Sequence, residues 1–294
     1  MTDQGASWDL LSDLRLLLEF HFMQNALVTG TVVALLAGAV GYFVVLRGQS
    51  FAAHTLSQVG FPGAAAAILV HTSPLVGLVT FCTVSALGIA VAGRRLDAGR
   101  RTESAVVGTI LAFSLGLGLL LFRLYAGSAQ GIYALLFGTI LGITDGAALA
   151  TASMTAACLA VLAGIARPLL FASIDPDVAQ ARGVPVRGLS IAFLVLVAFA
   201  VAQAVQIVGT LLIFALLVAP PAAAQQLTSR PWPGLALSAA LSLACTWAGL
   251  SVAYFTVYPV GFFITRFAFA GYLAIRVLRA LRAGGRRQPG ARPA

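Results

Sequence analysis

FMQNALVTGTVVALLAGAVGYFVVL, residues 22–46, contains no Asp, Glu, Lys or Arg. As a helix rising 1.5 Å per residue, such a run reaches past 30 Å, the thickness of a bilayer's hydrocarbon core. Backbone in lipid has no water to bond, so the crossing must be helical. Gly30, Gly38 and Gly41 let a second helix approach it closely. Arg47 ends the run.

The remainder repeats the pattern. The chain has 294 residues, 60% hydrophobic and 9% charged, against about 25% charged in a soluble domain. The composition implies an all-α, polytopic transmembrane helix bundle of eight or nine spans. Further spans are expected at 51–70, 75–92, 105–122, 145–166 and 234–255, with the last opening near Pro259. Residues 189–224 are too long for one crossing, and Gln203, Gln206 and Gly209 mark a break near 207. Residues 131–143 are too short to cross and read as a re-entrant or interfacial piece. Residues 1–21 form an amphipathic N-terminal segment, 22–282 the membrane domain, and 283–294 a basic, disordered tail. Asp3, Asp9, Asp13 and Glu19 give the first residues the wrong charge for a cleaved leader.

Punctuation is expected at several places. Pro62 should kink its helix, and Pro220 and Pro221 should end theirs. His71-Thr72-Ser73-Pro74 reads as a tight turn and Arg230-Pro231-Trp232-Pro233 as a loop. Thr102 or Ser104 is expected to cap the fourth span, and Asp145 the fifth.

The net charge of +9 would suggest nucleic acid in a soluble protein. Here it reads as cytoplasmic loops of a membrane protein, with no nucleic-acid partner. With nine spans, the arginines of 94–101, 167–187 and the tail share one side with Arg47 and Arg230. The positive-inside rule then places the C-terminus in the cytoplasm and the N-terminus outside. All 18 basic residues are Arg. Without Lys the chain has no P-loop, so ATP-driven work belongs to a partner and the chain is not an enzyme. Cys82, Cys158 and Cys245 fall in apolar segments and read as small buried hydrophobes.

Two stretches carry candidate chemistry. The first is Ser50 to Gly63, where His54 and Gln58 lie four residues apart on one helix face, with hydroxyls at Ser50, Thr55 and Ser57 nearby. Polar side chains inside a span face protein or a water-filled path. The face is therefore either a patch satisfied by neighbouring helices or a station on a translocation path. Imidazole suits zinc and tolerates manganese or iron, while a Gln amide is a weak ligand, so His54 is the candidate metal residue. No permanently bound cofactor is implied. The second stretch is 175–187, where Asp175 or Ser173 can cap a helix opening with Pro176, and Gly183 can stop it. Two bounded helical turns read as a docking element, with Asp175, Asp177, Ala179, Arg182 and Gly183 as its residues. Arg123 and Arg266 read as snorkelling cations, and His21 and His71 as span-end residues.

Five blocks in order resemble the membrane permease of bacterial ABC importers for zinc, manganese and iron. They are Gly41 to Phe51, Leu136-Phe137-Gly138-Thr139-Ile140-Leu141, Asp177 to Val184, Val208-Gly209-Thr210 through Pro220 and Ala224, and Tyr258-Pro259-Val260-Gly261. The resemblance spans Phe22 to Leu278. It implies a type II ABC importer-like permease, working as a homodimer in the lipid of a bacterial cytoplasmic membrane. Two cytoplasmic ATPase subunits, an extracytoplasmic solute-binding protein and a transported divalent metal ion are implied with it. The 167–188 loop would be the coupling loop. The family usually carries Asp at the position of His54 and His at that of Gln58, so this chain's face has lost a carboxylate. A second reading keeps the architecture but moves a metal chelate or another small solute. A third is a membrane subunit with a structural or regulatory role.

Overall fold

Seven helices are long and apolar enough to span a bilayer among the described residues. The structure, a computed structural model, describes residues 21–95, 100–124, 138, 142–256 and 258–284. The amphipathic segment expected over 1–21, except His21, and the tail beyond Gly284 lie outside these residues, as does most of 131–143. The described elements are helical throughout: α1 His21–Leu46, α2 Ser50–Leu69, α3 Pro74–Arg95, α4 Arg100–Leu124, α5 Asp145–Ile174, α6 Pro176–Ala181, α7 Val186–Val208, α8 Thr210–Leu227, α9 Pro231–Tyr254 and α10 Val260–Gly284.

Except for the short α6, the helices run from one end of the bundle to the other. Arg47, after α1, bonds Ser173 near the end of α5 and Ser190 near the start of α7, which places all three at one end. Asn25 at the start of α1 donates to Asp145 Oδ1 (2.6 Å) and the Ile143 carbonyl (3.3 Å), marking the other end. Helix α9 runs antiparallel to α1: Trp247 Nε1 donates to Thr31 Oγ1, Ser238 Oγ to the Gly38 carbonyl, and Gly234 faces Tyr42. This pairing rests on Gly38, whose added Cβ would lie 2.6 Å from the Ala239 Cα. The polar connection around Arg47, α6, Arg230, and Arg276 and Arg279 of α10 consequently gather at one end, called here the basic end.

Helices α1, α2, α7 and α8 form the centre. Phe43, Leu56, Phe193, Val201, Ile213 and Leu216 are all buried there. Helices α4, α5, α9 and α10 surround them and leave apolar side chains outward: Phe113 of α4 is 69% exposed and Leu149 of α5 73%. In hydrocarbon such side chains carry no penalty, so outward-facing Phe and Leu mark the lipid-facing ring rather than a defect.

Prolines and caps depart from sequence expectation in consistent ways. Helix α8 continues through Pro220 and Pro221 instead of ending there. The missing N–H groups free the Leu216 and Leu217 carbonyls, and Gly41 of α1 packs directly on the Leu217 carbonyl, shielding it from lipid. Helix α5 passes Arg167-Pro168 and ends at Ile174, well beyond the expected Ala166. Its residue four before the proline is Gly164, which has no side chain to crowd the bend. Thr144, not Asp145, caps α5, because Asp145 is engaged by Asn25. Helix α4 already starts at Arg100, so Thr102 and Ser104 lie within it rather than capping it. Pro231 opens α9 at its first helical position, where a missing N–H removes no bond, so 231–233 is helix and not loop.

Candidate functional site

Helix α2 is 20 residues long, yet it is not among the seven spans selected for apolarity. Its polar side chains are the reason, and packing makes room for them. Gly63 and Gly77 bring α2 and α3 into backbone contact, since a Cβ on Gly63 would lie 2.5 Å from the Gly77 carbonyl oxygen. Gly60 sits under Leu78 of α3 and near Val205 of α7. On another side, Phe51 lies over Gly108 and Phe61 over Gly118 of α4. The remaining side meets α8 through a ring contact between His54 and Phe214, with centroids 4.6 Å apart and planes at 59°.

His54 and Gln58 are both half-buried, in a stripe bounded by α4 and α8. Their shared face is therefore real, and it opens to the surface of one copy of the chain rather than into a closed core. The His54 Nδ1 is buried without a hydrogen-bond partner, an uncommon state for a ring nitrogen. Pro62, one turn beyond Gln58, has no N–H to give to the Gln58 carbonyl. The stripe thus combines an imidazole, an amide side chain and a free backbone carbonyl, all neutral acceptors. Ser57 is wholly buried with its hydroxyl donated to the His54 carbonyl, so it sits behind the stripe. Thr55 is fully buried. Ser50 opens α2 one turn toward the basic end and is half-buried. Among the described residues no three of His, Cys, Asp and Glu gather as a metal cluster. The three cysteines are free, with Cys82 and Cys158 buried.

Above the stripe lies the break between α7 and α8. Gly209 has φ +85° and ψ 161°, a conformation open to glycine and not to larger residues. Gly138 (φ +77°) sits against this break: a Cβ there would lie 2.5 Å from the Val208 carbonyl carbon and 2.8 Å from the Gly209 nitrogen. The expected break near 207 and Gly138, the glycine of the Leu-Phe-Gly block, therefore meet in space. Beside them Gln203, 2% exposed, donates to Thr155 Oγ1 at 2.8 Å, tying α7 to α5.

The second candidate stretch folds as a capped helix. The Asp175 side chain accepts from the Val178 N–H at 3.0 Å and Pro176 occupies the first turn. At the other end Gly183 (φ +82°) donates to the Gln180 carbonyl and Val184 to that of Ala179, a Schellman stop. Ala179 is buried against the bundle, while Asp175, Asp177, Val178, Arg182 and Gly183 face out. Ser173 takes no part in the cap; it donates to the Leu169 carbonyl and accepts from Arg47.

Three participants escaped the sequence reading. Phe214 is one more aromatic in an apolar run and gives no signal of its own. Arg47 looked like a span terminator, but it bonds both Ser173 and Ser190 and lies 5.7 Å from the Phe193 ring. The seat of Gly138 is a long-range contact; only the Gly beside Leu-Phe hinted at it.

Residues 19–278 match the model of the ABC 3 transport family. The chain is 32% identical over 243 residues to the manganese import system permease protein ScaB of Streptococcus parasanguinis, covering 83% of this chain and 85% of that protein. It is 29% identical over 241 residues to the manganese transport system membrane protein MntC of Halalkalibacterium halodurans, covering 82% and 80%. Among solved structures it is similar to a chain of PsaBC from Streptococcus pneumoniae in complex with Fab, with TM-score 0.80, 29% identity, and coverage of 90% of this chain and 94% of that one.

Proposed function

The chain belongs to the ABC 3 transport family, and from that premise we propose that it is the permease subunit of an ATP-driven importer of divalent transition metal ions, manganese foremost. The observation that carries the reading is the α2 stripe. A helix too polar to rank with the apolar spans lies at the centre of the bundle, with His54 and Gln58 accessible along it. The manganese permeases it resembles over most of its length supply the cargo class.

In this reading two copies of the chain face each other across the open stripe, and the ion passes between them. Neutral ligands hold a divalent ion weakly, which suits a station that must release its cargo. Zinc and iron are the alternative cargoes for the same imidazole. The outward face of α6 would receive cytoplasmic ATPase subunits, and an external binding protein would deliver the ion at the end carrying Asn25 and Asp145. Positive-inside placement of the basic end puts α6 and the C-terminus in the cytoplasm. A second reading, transport of a metal chelate, is favoured by one observation: α2, which carries the stripe, has no Asp, Glu, Lys or Arg.

The test is uptake of radioactive manganese into vesicles holding the permease, its ATPase and its external binding protein. ATP-dependent uptake, competed by excess manganese and not by chelated metal, supports the ion reading. Uptake of the chelate alone moves the protein to the second reading. Transport of neither removes both.

A further inference from the structure

A cavity of about 240 Å³ lies among the turn before α3, the start of α5 and the end of α7. That is the end marked by Asn25 and Asp145, opposite the basic end and away from the stripe between α4 and α8. Its mouth carries Ser73, Thr144 and Gln206, all exposed. Its floor carries Thr151 and Gln203, 7% and 2% exposed. Gln203 lies five residues before the end of α7, about 7 Å down the helix.

The floor is polar in one sense only. Gln203 turns its amide nitrogen to Thr155 Oγ1 at 2.8 Å, and its buried Oε1 has no hydrogen-bond partner. The Thr151 hydroxyl donates to the Ala147 carbonyl at 2.8 Å, which leaves lone pairs on its oxygen. Thr151 and Thr155 lie four apart on one face of α5, so the bond to Thr155 holds the Gln203 amide next to Thr151. Helix α7 stops at Val208, so its last carbonyls lose their intrahelical donors and carry the negative end of the helix dipole. Ile207 of that turn lines the cavity. No Asp, Glu, Lys or Arg is among the described residues that line it.

A buried acceptor without a donor, beside a second acceptor, calls for a hydrogen-bond donor or a cation. We infer that the cavity is a site for an alkali cation, sodium or potassium, held by Gln203 Oε1 and Thr151 Oγ1 with the carbonyl end of α7 nearby. Water fits less well: it can give two protons to the floor, but its own oxygen then meets acceptors. A divalent ion fits less well because it takes carboxylates or keeps its water. Carbonyl ends of interrupted helices are where membrane bundles seat such cations. Bound there, the ion ties α5 to α7 just below Gly209 and the α7–α8 break.

The full chain, purified in detergent, is heated in sodium, potassium or choline chloride at equal ionic strength, and loss of monodisperse elution is followed. Choline, its charge covered by methyl groups, supplies the salt without the ligand. At ten times its dissociation constant the preferred alkali cation should raise the midpoint by about 3 °C over choline, and the rise should saturate. Gln203→Leu should abolish that difference, and Thr151→Val, which keeps the side chain's shape, should at least halve it. Equal midpoints in the three salts overturn the inference, as does a rise that never saturates. A difference that survives both substitutions removes the ion from this cavity. A saturable rise with micromolar manganese, lost in Gln203→Leu, overturns the alkali assignment in favour of a divalent ion.

Discussion

His54 carries the chemistry of the stripe because it is the one strong donor there; Gln58 and its carbonyl are weaker. Removing it should therefore lower manganese uptake by at least about tenfold, the lower range for disturbing even an outer partner of a metal ligand. His54→Ala should still assemble, since the ring is half-buried and packs on Phe214 alone among aromatic neighbours. Uptake matching the unaltered protein would end the assignment of the stripe as a transport station. Gly209 makes a different demand. At φ +85° and ψ 161° an Ala would be strained by about 1–3 kcal/mol. Gly209→Ala should lower the temperature at which the detergent-solubilised chain loses its monodisperse elution, whereas Gly188→Ala, with open space around it, should not. The polar pair at 54 and 58 was legible from spacing alone, because a helix puts residues four apart on one face. Which neighbours bound that face was not, because Phe214 is distant in sequence and chemically ordinary.

Helix α6 shows how far local chemistry reaches. Asp175, Pro176 and Gly183 specify a six-residue helix through contacts within a few residues, and the helix stands between the expected bounds. It is too short to persist on propensity, so its cap matters. Asp175→Ala removes the bond to Val178 and should cost about 1 kcal/mol locally. The expected readout is fewer ions transported per ATP hydrolysed, with ATPase binding retained. An unchanged ratio would remove α6 from the coupling path. Prolines were less legible. Pro220, Pro221 and Pro168 lie within helices, and the Leu217 carbonyl freed by Pro221 finds cover at Gly41. A rule about prolines in isolated helices does not see that cover.

At the scale of the molecule, the gathering of arginines at one end rests on alternate crossings of nine helices among the described residues. If the basic end is cytoplasmic, Arg182→Cys should react with a membrane-impermeant maleimide only after cells are opened. His71→Cys, in the exposed turn at the opposite end, should react in intact cells. Native thiols give little background, as Cys82 and Cys158 are buried and Cys245 is half-buried. The reverse pattern would invert the topology and with it the placement of the ATPase partner.

Composition and apolar run length determined by themselves that this chain is a bundle of membrane helices, because a backbone in lipid has few ways to satisfy its own bonds. Residue spacing determined the polar face, and cap chemistry determined α6, since both act within one or two helical turns. Only the tertiary structure decided that the face lies open between α4 and α8, that Gly138 seats on the α7–α8 break, and that Arg47 joins α1 to α5 and α7. Each of those depends on residues far apart in the chain, and among uniformly apolar helices no local pattern says which surfaces will meet.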